Sequence, residues 1–301
     1  MHRAVRAALL SPSDMTETLT SRNNPEIITL RPSRGWSALN LRDLWAYKEL
    51  IYFMTWRDVI VRYKQTVLGF AWAIINPLIN MIVLQVVFGG FAGMEPEGGV
   101  PGPLFRFAAV LPWGLFSGAL NAAGRSMLSN RSILTKVYFP RLIIPLSSVL
   151  SGLVDFAISF VVLLGMMLYW GVLPSLKLLA LPLIIFMALI TALGAGLWFS
   201  ALNVLYRDVG YVLPVLTQLL LFISPVGYST GTVSIQWQWL YALNPMVGVI
   251  ESFRWSVLGT VPSDSLPLWT LVAISSSVSF LLLITGLFYF RRMERTFADM
   301  V

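Results

Sequence analysis

The sequence predicts an all-α membrane protein: six transmembrane helices with both termini cytoplasmic, an N-terminal amphipathic interfacial helix, and a re-entrant helical segment between spans five and six. Three observations lead there. Of 301 residues, 57% are hydrophobic and only 12% are charged, whereas a soluble domain carries about a quarter charged residues. The apolar residues gather in six stretches, near 66–90, 107–129, 142–170, 179–202, 212–230 and 268–290, most of them reaching the roughly 20 residues that cross about 30 Å of hydrocarbon. Eighteen of the 21 Lys and Arg fall on one set of alternating connections and the two ends; Arg106, Lys177 and Arg254 alone fall on the other set. Positive loops stay cytoplasmic, and an even number of spans returns the chain to the side on which it began.

Residues 1–39 mix Ser, Thr, Asn, Pro and Arg without periodicity and read as a mobile cytoplasmic segment. The opening "MHRAVRAALLSPSD" starts basic, but its apolar core is too short for a secretory signal. In 40–64, "NLRDLWAYKELIYFMTWRDVIVRYK", apolar and aromatic residues recur at helical spacing while charges interrupt them. Such a helix lies along the interface, aromatic side down and basic side toward lipid headgroups. It is either a membrane-hugging collar or, in addition, a way in for an anionic headgroup. Residues 65–301 hold the six spans.

The connection after the fifth span has its own punctuation. Asn244 suits an N-cap, Pro245 the first helical position and Gly259 the residue past the end. About fourteen residues make roughly 21 Å of helix, too short to cross, so the segment dips in and returns. Glu251 and Arg254, three apart, can pair on one face of it. They either neutralise a half-buried helix or contribute to an outer gate, and a charge-swapped pair should recover part of what either reversal loses.

Within the spans, Asp155 is a carboxylate in a place where carboxylates are rare and usually functional. No second carboxylate or histidine forms a proton relay with it, and it serves either a function or a structural pair with a partner such as Arg125. Asn76, Asn80, Gln85 and Gln218 can line a passage or bond neighbouring helices. Prolines 77, 145, 182, 214 and 225 are expected to kink spans. The chain has no cysteine and a single histidine, His2, which excludes thiol nucleophiles and makes a metal cluster or an imidazole base improbable. No G-x-x-x-x-G-K-[ST] loop occurs, so nothing on this chain cradles a nucleotide triphosphate. The net charge of +7 goes with positive loops on a membrane protein rather than with nucleic acid.

Four collinear stretches carry a resemblance: "RYKQTVLGFAWAIINPLI" at 62–79, "NRSILTKVYFPRLIIPL" at 130–146, "ALNVLYRDVGYVLPVLTQLLLFISPVGY" at 201–228 and "LYALNPMVGVIESFRWSVLG" at 240–259. From about residue 40 to the end, the chain resembles the ABC-type polysaccharide export permeases, the membrane subunits that export O-antigen, capsule or teichoic-acid chains. The resemblance implies a permease domain over 65–301 in the cytoplasmic (inner) membrane and a transporter rather than an enzyme. It implies assembly with a second copy and with two ATP-binding cassette subunits, which would hold ATP and Mg, while this chain carries no cofactor. The cargo implied is a lipid-linked polysaccharide of O-antigen type. The connection 130–141 would then be the coupling helix, with Lys136, Tyr138 and Phe139 offered to the ATPase.

A sliding sugar polymer needs weak, repeated grips, which stacked aromatic rings supply. Tyr63, Phe70, Trp72, Tyr228 and Trp255, with Asn76 and Asn80, are the lining candidates. The diphosphate of a lipid carrier needs cations at the cytoplasmic rim, and Arg57, Arg62 and Lys64 are placed for it. Two other classes stay open: an ABC exporter of drugs or simple lipids, and an ion-coupled secondary carrier, although neither paired carboxylates nor related halves are visible.

Overall fold

The computed structural model describes residues 45–64, 69–134, 136, 139–173 and 175–300, with side chains as far as 294. The predicted segment 1–39 and the candidate Tyr138 lie outside the described residues. Among the described residues the α-helices follow in order: α1 Lys48–Lys64, α2 Ala71–Leu84, α3 Gly102–Ser129, α4 Arg131–Leu134, α5 Ile143–Tyr169, α6 Leu181–Leu205, α7 Val209–Ile223, α8 Ile235–Tyr241, α9 Pro245–Leu258 and α10 Leu268–Met300. No strand occurs among the described residues.

Five helical stretches are long and apolar enough to cross a membrane: Ala71–Phe91, Gly102–Ser129, Ile143–Tyr169, Leu176–Leu205 and Leu268–Glu294. The first is α2 continued by a π-helix, Gln85–Phe91. The stretch predicted at 212–230 differs. Its helix, α7, has only 15 residues and stops at Ser224, followed by Pro225, which cannot donate to the ladder. Arg106 also differs from expectation. It was assigned to a loop, yet it lies in the first turns of α3, 1% exposed, donating to Gln85 Oε1 at 2.6 Å and to the Met94 carbonyl at 2.8 Å.

Helix α3 is the centre. It packs against α5 and α6, α6 packs against α10, and α9 fits between α3 and α10. Leu104, Phe107, Leu120, Leu163, Met246 and Phe253 fill this interior. In lipid the drive is close packing rather than escape from water, and small residues allow it. A Cβ on Gly194 of α6 would fall 2.6 Å from the Leu283 nitrogen of α10, and one on Gly286 would fall 2.3 Å from the Gly194 carbonyl oxygen. The outward faces keep Ile82, Val161, Val215 and Leu281 exposed, as a hydrocarbon solvent permits.

Of the five prolines expected to kink spans, only Pro77 and Pro214 sit in helix interiors, where Pro112 joins them. Pro145 and Pro182 occupy first turns, where a missing N–H costs nothing, and Pro225 lies past the end of α7. Each interior proline leaves the carbonyl four residues earlier without a partner. For Pro77 that is Ala73, whose oxygen accepts from Ser159 Oγ of α5 at 2.9 Å. For Pro214 it is Gly210, whose oxygen accepts from the Arg125 guanidinium of α3 at 3.1 Å. At Pro77 and Pro214, neighbouring helices thus satisfy the backbone that the proline frees, as membrane helices require.

Candidate functional site

Helix α1 lies along α5. Met54 and Val59 are buried on its inner side, while Tyr52, Phe53 and Trp56 are exposed on the other, the side predicted to face the interface. Its C-terminal end brings Arg62 and Tyr63 to the middle of α5. There the Arg62 guanidinium pairs with Asp155 Oδ2 and reaches Ser151 Oγ at 3.2 Å, and the Tyr63 hydroxyl donates to Asp155 Oδ1. Arg62, not the expected Arg125, is therefore the partner of Asp155. The error came from chain distance: Arg125 is nearer in sequence, but the Gly210 carbonyl holds it.

These residues border a cavity of about 470 Å³ between α1, α2, α3 and α5. Helix α2 lines it with Trp72, Ala73, Asn76, Pro77 and Asn80, a four-residue repeat that keeps one face inward. Helix α3 contributes Trp113, Gly114, Ser117 and Gly118, and a Cβ on either glycine would meet open space. Helix α5 adds Ser148, Gly152, Asp155, Phe156 and Ser159. The wall therefore alternates aromatic rings with amides and hydroxyls. The contribution of α3 and α5 was missed by sequence reasoning. The available signal was the recurrence of small and hydroxyl residues at four-residue steps, Gly114/Gly118 and Ser148/Gly152.

The predicted lining residues divide. Tyr63, Trp72, Asn76 and Asn80 converge on the cavity. Phe70 is outside its wall, 58% exposed and stacked on Tyr63 at 4.3 Å between centroids. Tyr228 and Trp255 are elsewhere. The Tyr228 hydroxyl donates to the Phe222 carbonyl at 3.1 Å and accepts from the Tyr241 hydroxyl at 3.0 Å, while Trp255 faces the Lys177 ammonium, 5.3 Å from its ring. Neither residue borders this cavity, since aromatic type alone does not say which helix face turns inward.

The anion candidates divide similarly. Arg57 is held by Asp58 and by Asn130 Oδ1, both at 2.7 Å; Arg62 is paired as described; Lys64 is exposed. A second cavity, of about 630 Å³, opens beside the first, with Arg57, Arg62 and Arg125 in its wall. In the 130–141 connection Lys136 is exposed. Phe139, expected to face an ATPase, is instead 6% exposed and packs in a second core with Met54, Met127, Leu142, Ile143 and Phe290. An aromatic ring beside apolar residues of its own chain is better packed there than in water.

Glu251 and Arg254 pair as expected, Nη1 to Oε1 at 3.4 Å, on α9. Asn244 Oδ1 caps this helix by accepting from the Met246 N–H at 3.1 Å, and Gly259 ends it in the left-handed region at φ 74°. The pair is no exposed latch. Arg254 is wholly buried, donating to the Val226 and Tyr228 carbonyls at 3.0 Å and lying 3.8 Å from the Phe105 ring centroid. Glu251 accepts from the Thr230 N–H at 2.9 Å and its hydroxyl at 2.8 Å. Nearby, Glu97 in the α2–α3 connection accepts from the Ser263 N–H at 3.1 Å. Burial pushes its carboxyl above the usual range and the Glu251 charge adds to this, against a hydrogen bond with Ser229.

Apolar helices around a cavity of rings, amides and an arginine–aspartate pair make this a polytopic membrane protein with a polar interior cavity. The chain belongs to the ABC-2 type transporter family, which it matches over residues 49–258. It is 29% identical over 238 residues to the O-antigen export system permease protein RfbA of Myxococcus xanthus, covering 78% of this chain and 90% of that protein. It is 27% identical over 255 residues to the protein of the same name from Klebsiella pneumoniae, covering 84% and 95%. The polysialic acid transport protein KpsM of Escherichia coli is 25% identical over 214 residues, covering 70% and 82%.

Proposed function

We propose that this chain is the membrane-spanning subunit of an ATP-driven exporter, and that it moves a lipid-linked polysaccharide of O-antigen type across the cytoplasmic membrane. Two copies and two ATP-binding cassette subunits form the working assembly. ATP and Mg are bound on the cassette subunits, since no phosphate loop occurs in this chain. The observation that carries the reading is the convergence of Arg62, Tyr63, Trp72, Asn76 and Asn80 on one cavity beside a basic one: cations for a diphosphate lead into rings and amides for sugars. The names of the three relatives, two for O-antigen export and one for polysialic acid transport, support a polysaccharide cargo.

Six spans and cytoplasmic termini complete the proposal, with α7 as the fifth span. Its 15 residues reach roughly 22 Å at 1.5 Å each. The chain beyond it covers the remaining depth, and Arg254 takes the Val226 and Tyr228 carbonyls there, which is how non-helical backbone survives inside a membrane. Segment α9 then dips from the outer side, its Glu251–Arg254 clamp closing the outer end. On the cytoplasmic side Arg57 and Lys64 join Arg62 in receiving the diphosphate, and Lys136 and Tyr138 meet the ATPase.

The test is export in cells. Arg62→Gln with Lys64→Gln is expected to leave the complex assembled and hydrolysing ATP, yet to raise the lipid-linked glycan retained on the inner leaflet. Asn76→Leu with Asn80→Leu should harm export more than membrane insertion. Unchanged export after all four substitutions would overturn the reading.

A further inference from the structure

The two cavities share a wall. Arg62 and Ser148 line both of them, and Asp155 lines only the one with the aromatic rings. In the basic cavity Arg57 has Asp58 as its carboxylate, and Arg125 is in no ion pair among the described residues, donating instead to the Gly210 carbonyl. Among the described residues Asp58 is the sole carboxylate in that wall, against three arginines from α1 and α3. Arg62 belongs to this wall as well, but its guanidinium is already paired with Asp155 on the other cavity's side.

We propose that Asp155 is a built-in stand-in for the anionic group of the cargo. Its carboxylate occupies Arg62 in the wall that the two cavities share, and the pair closes that wall. A diphosphate entering between Arg57 and Arg125 takes Arg62 from Asp155 and opens the way toward Trp72 and Asn76. The inference rests on the proposed function and adds two residues to it: Arg125 as a ligand of the phosphate, and Asp155 as its competitor.

Physical chemistry favours an exchange over a permanent bond. A carboxylate offers Arg62 one negative charge; a diphosphate offers more than one and can engage two arginines with paired donors. Asp155 is not abandoned when Arg62 leaves, because the Tyr63 hydroxyl still donates to its other oxygen. One donor therefore offsets part of the cost of an unpaired carboxylate at that depth. A third charge, that of Arg125, adds attraction for the dianion that Asp155 does not balance.

The experiment uses the assembled complex of this chain with its ATPase subunits in lipid nanodiscs. Two probes are compared: a polyprenyl diphosphate within the bilayer and inorganic pyrophosphate in the buffer. Asp155→Asn is expected to bind the polyprenyl diphosphate about tenfold more tightly than the unmodified complex, because the competitor is gone. Arg125→Gln, which keeps a donor for Gly210, should bind it about tenfold more weakly. Because the chain has no cysteine, Ser148→Cys gives a clean reporter in the shared wall. Its maleimide labelling should accelerate when the probe is added and be fast without probe once Asp155→Asn is combined with it.

Acceleration by the lipid probe alone assigns the site to a carrier headgroup; acceleration by both probes supports the same exchange with free diphosphate as ligand. Acceleration by neither, or unchanged affinity in both variants, overturns the proposal. Should Asp155→Asn fail to assemble, the Ser148→Cys measurement in the otherwise unmodified complex decides alone. Impaired export in the Arg62→Gln, Lys64→Gln complex with no labelling change would overturn this exchange and leave the proposed function standing. Unchanged export in that complex would instead count against the proposed function.

Discussion

Arg254 shows what a single buried charge can hold together. Its guanidinium joins α9 to the start of α3 and to the chain after α7, and its partners are mostly backbone carbonyls. Removing one member of a buried pair costs about 3–5 kcal/mol because the other is left uncompensated. Arg254→Met is therefore expected to lower the thermal stability of the detergent-solubilised protein by that order. The geometry also reverses the expectation for the charge swap. A carboxylate at position 254 would face the Val226 and Tyr228 carbonyls, and a cation at 251 would face the Thr230 donors. The double reversal should recover nothing, and a melting temperature returning toward that of the unmodified protein would disprove this. Glu97 belongs to the same end. Its folded-state pKa is raised by burial above the ordinary 4.5, so the protonated form is favoured on folding. Stability from this group is present below about pH 4.5 and is lost as pH rises through the raised value. Glu97→Gln should flatten that part of a melting-temperature-against-pH curve.

Between elements, contacts tie α1 to the 130–141 connection at two points. Arg57 reaches Asn130, and Met54 shares a core with Phe139. A push on this connection therefore reaches the helix that carries Arg62. Phe139→Ala removes a buried ring, a loss of about 3–5 kcal/mol, and should lower stability as well as export. If it impaired export without moving the melting temperature, its ring would be serving a partner instead of the core. The α6–α10 crossing is the second element-scale feature. With the Gly194 carbonyl 2.3 Å from where a Gly286 Cβ would stand, Gly286→Val must part the two helices. Overpacking of this kind costs typically 1–3 kcal/mol, measurable as an earlier melting transition in size-exclusion thermostability assays. An unmoved transition would mean the crossing relaxes freely.

For the whole molecule, the question is where the energy enters. The chain offers no triphosphate-binding loop, and its family pairs membrane subunits with cassette ATPases. The purified chain is expected to hydrolyse no ATP by itself, with activity arising only after an ATP-binding cassette subunit is added. Robust hydrolysis by the lone chain would refute this. Substituting Lys136 or Tyr138 should uncouple a partner's hydrolysis from export while leaving insertion intact, which a paired ATPase and export assay would read.

Much of the architecture was legible because it depends on short-range rules. Length and apolar content select lipid as solvent, and Asn244, Pro245 and Gly259 delimit α9 because caps are local chemistry. Spacing alone also pairs Glu251 with Arg254. The tertiary structure decided what depends on which faces meet. It made Arg62 the partner of Asp155, took Arg106 out of a loop, turned Phe139 inward and left Tyr228 and Trp255 away from the cavity. In a chain this apolar, nearly every helix face is compatible with lipid, so hydropathy no longer marks the inward side. Packing does: glycines at the α6–α10 crossing and hydroxyls beside the proline-freed carbonyl of Ala73 set which faces approach, and those approaches place the site.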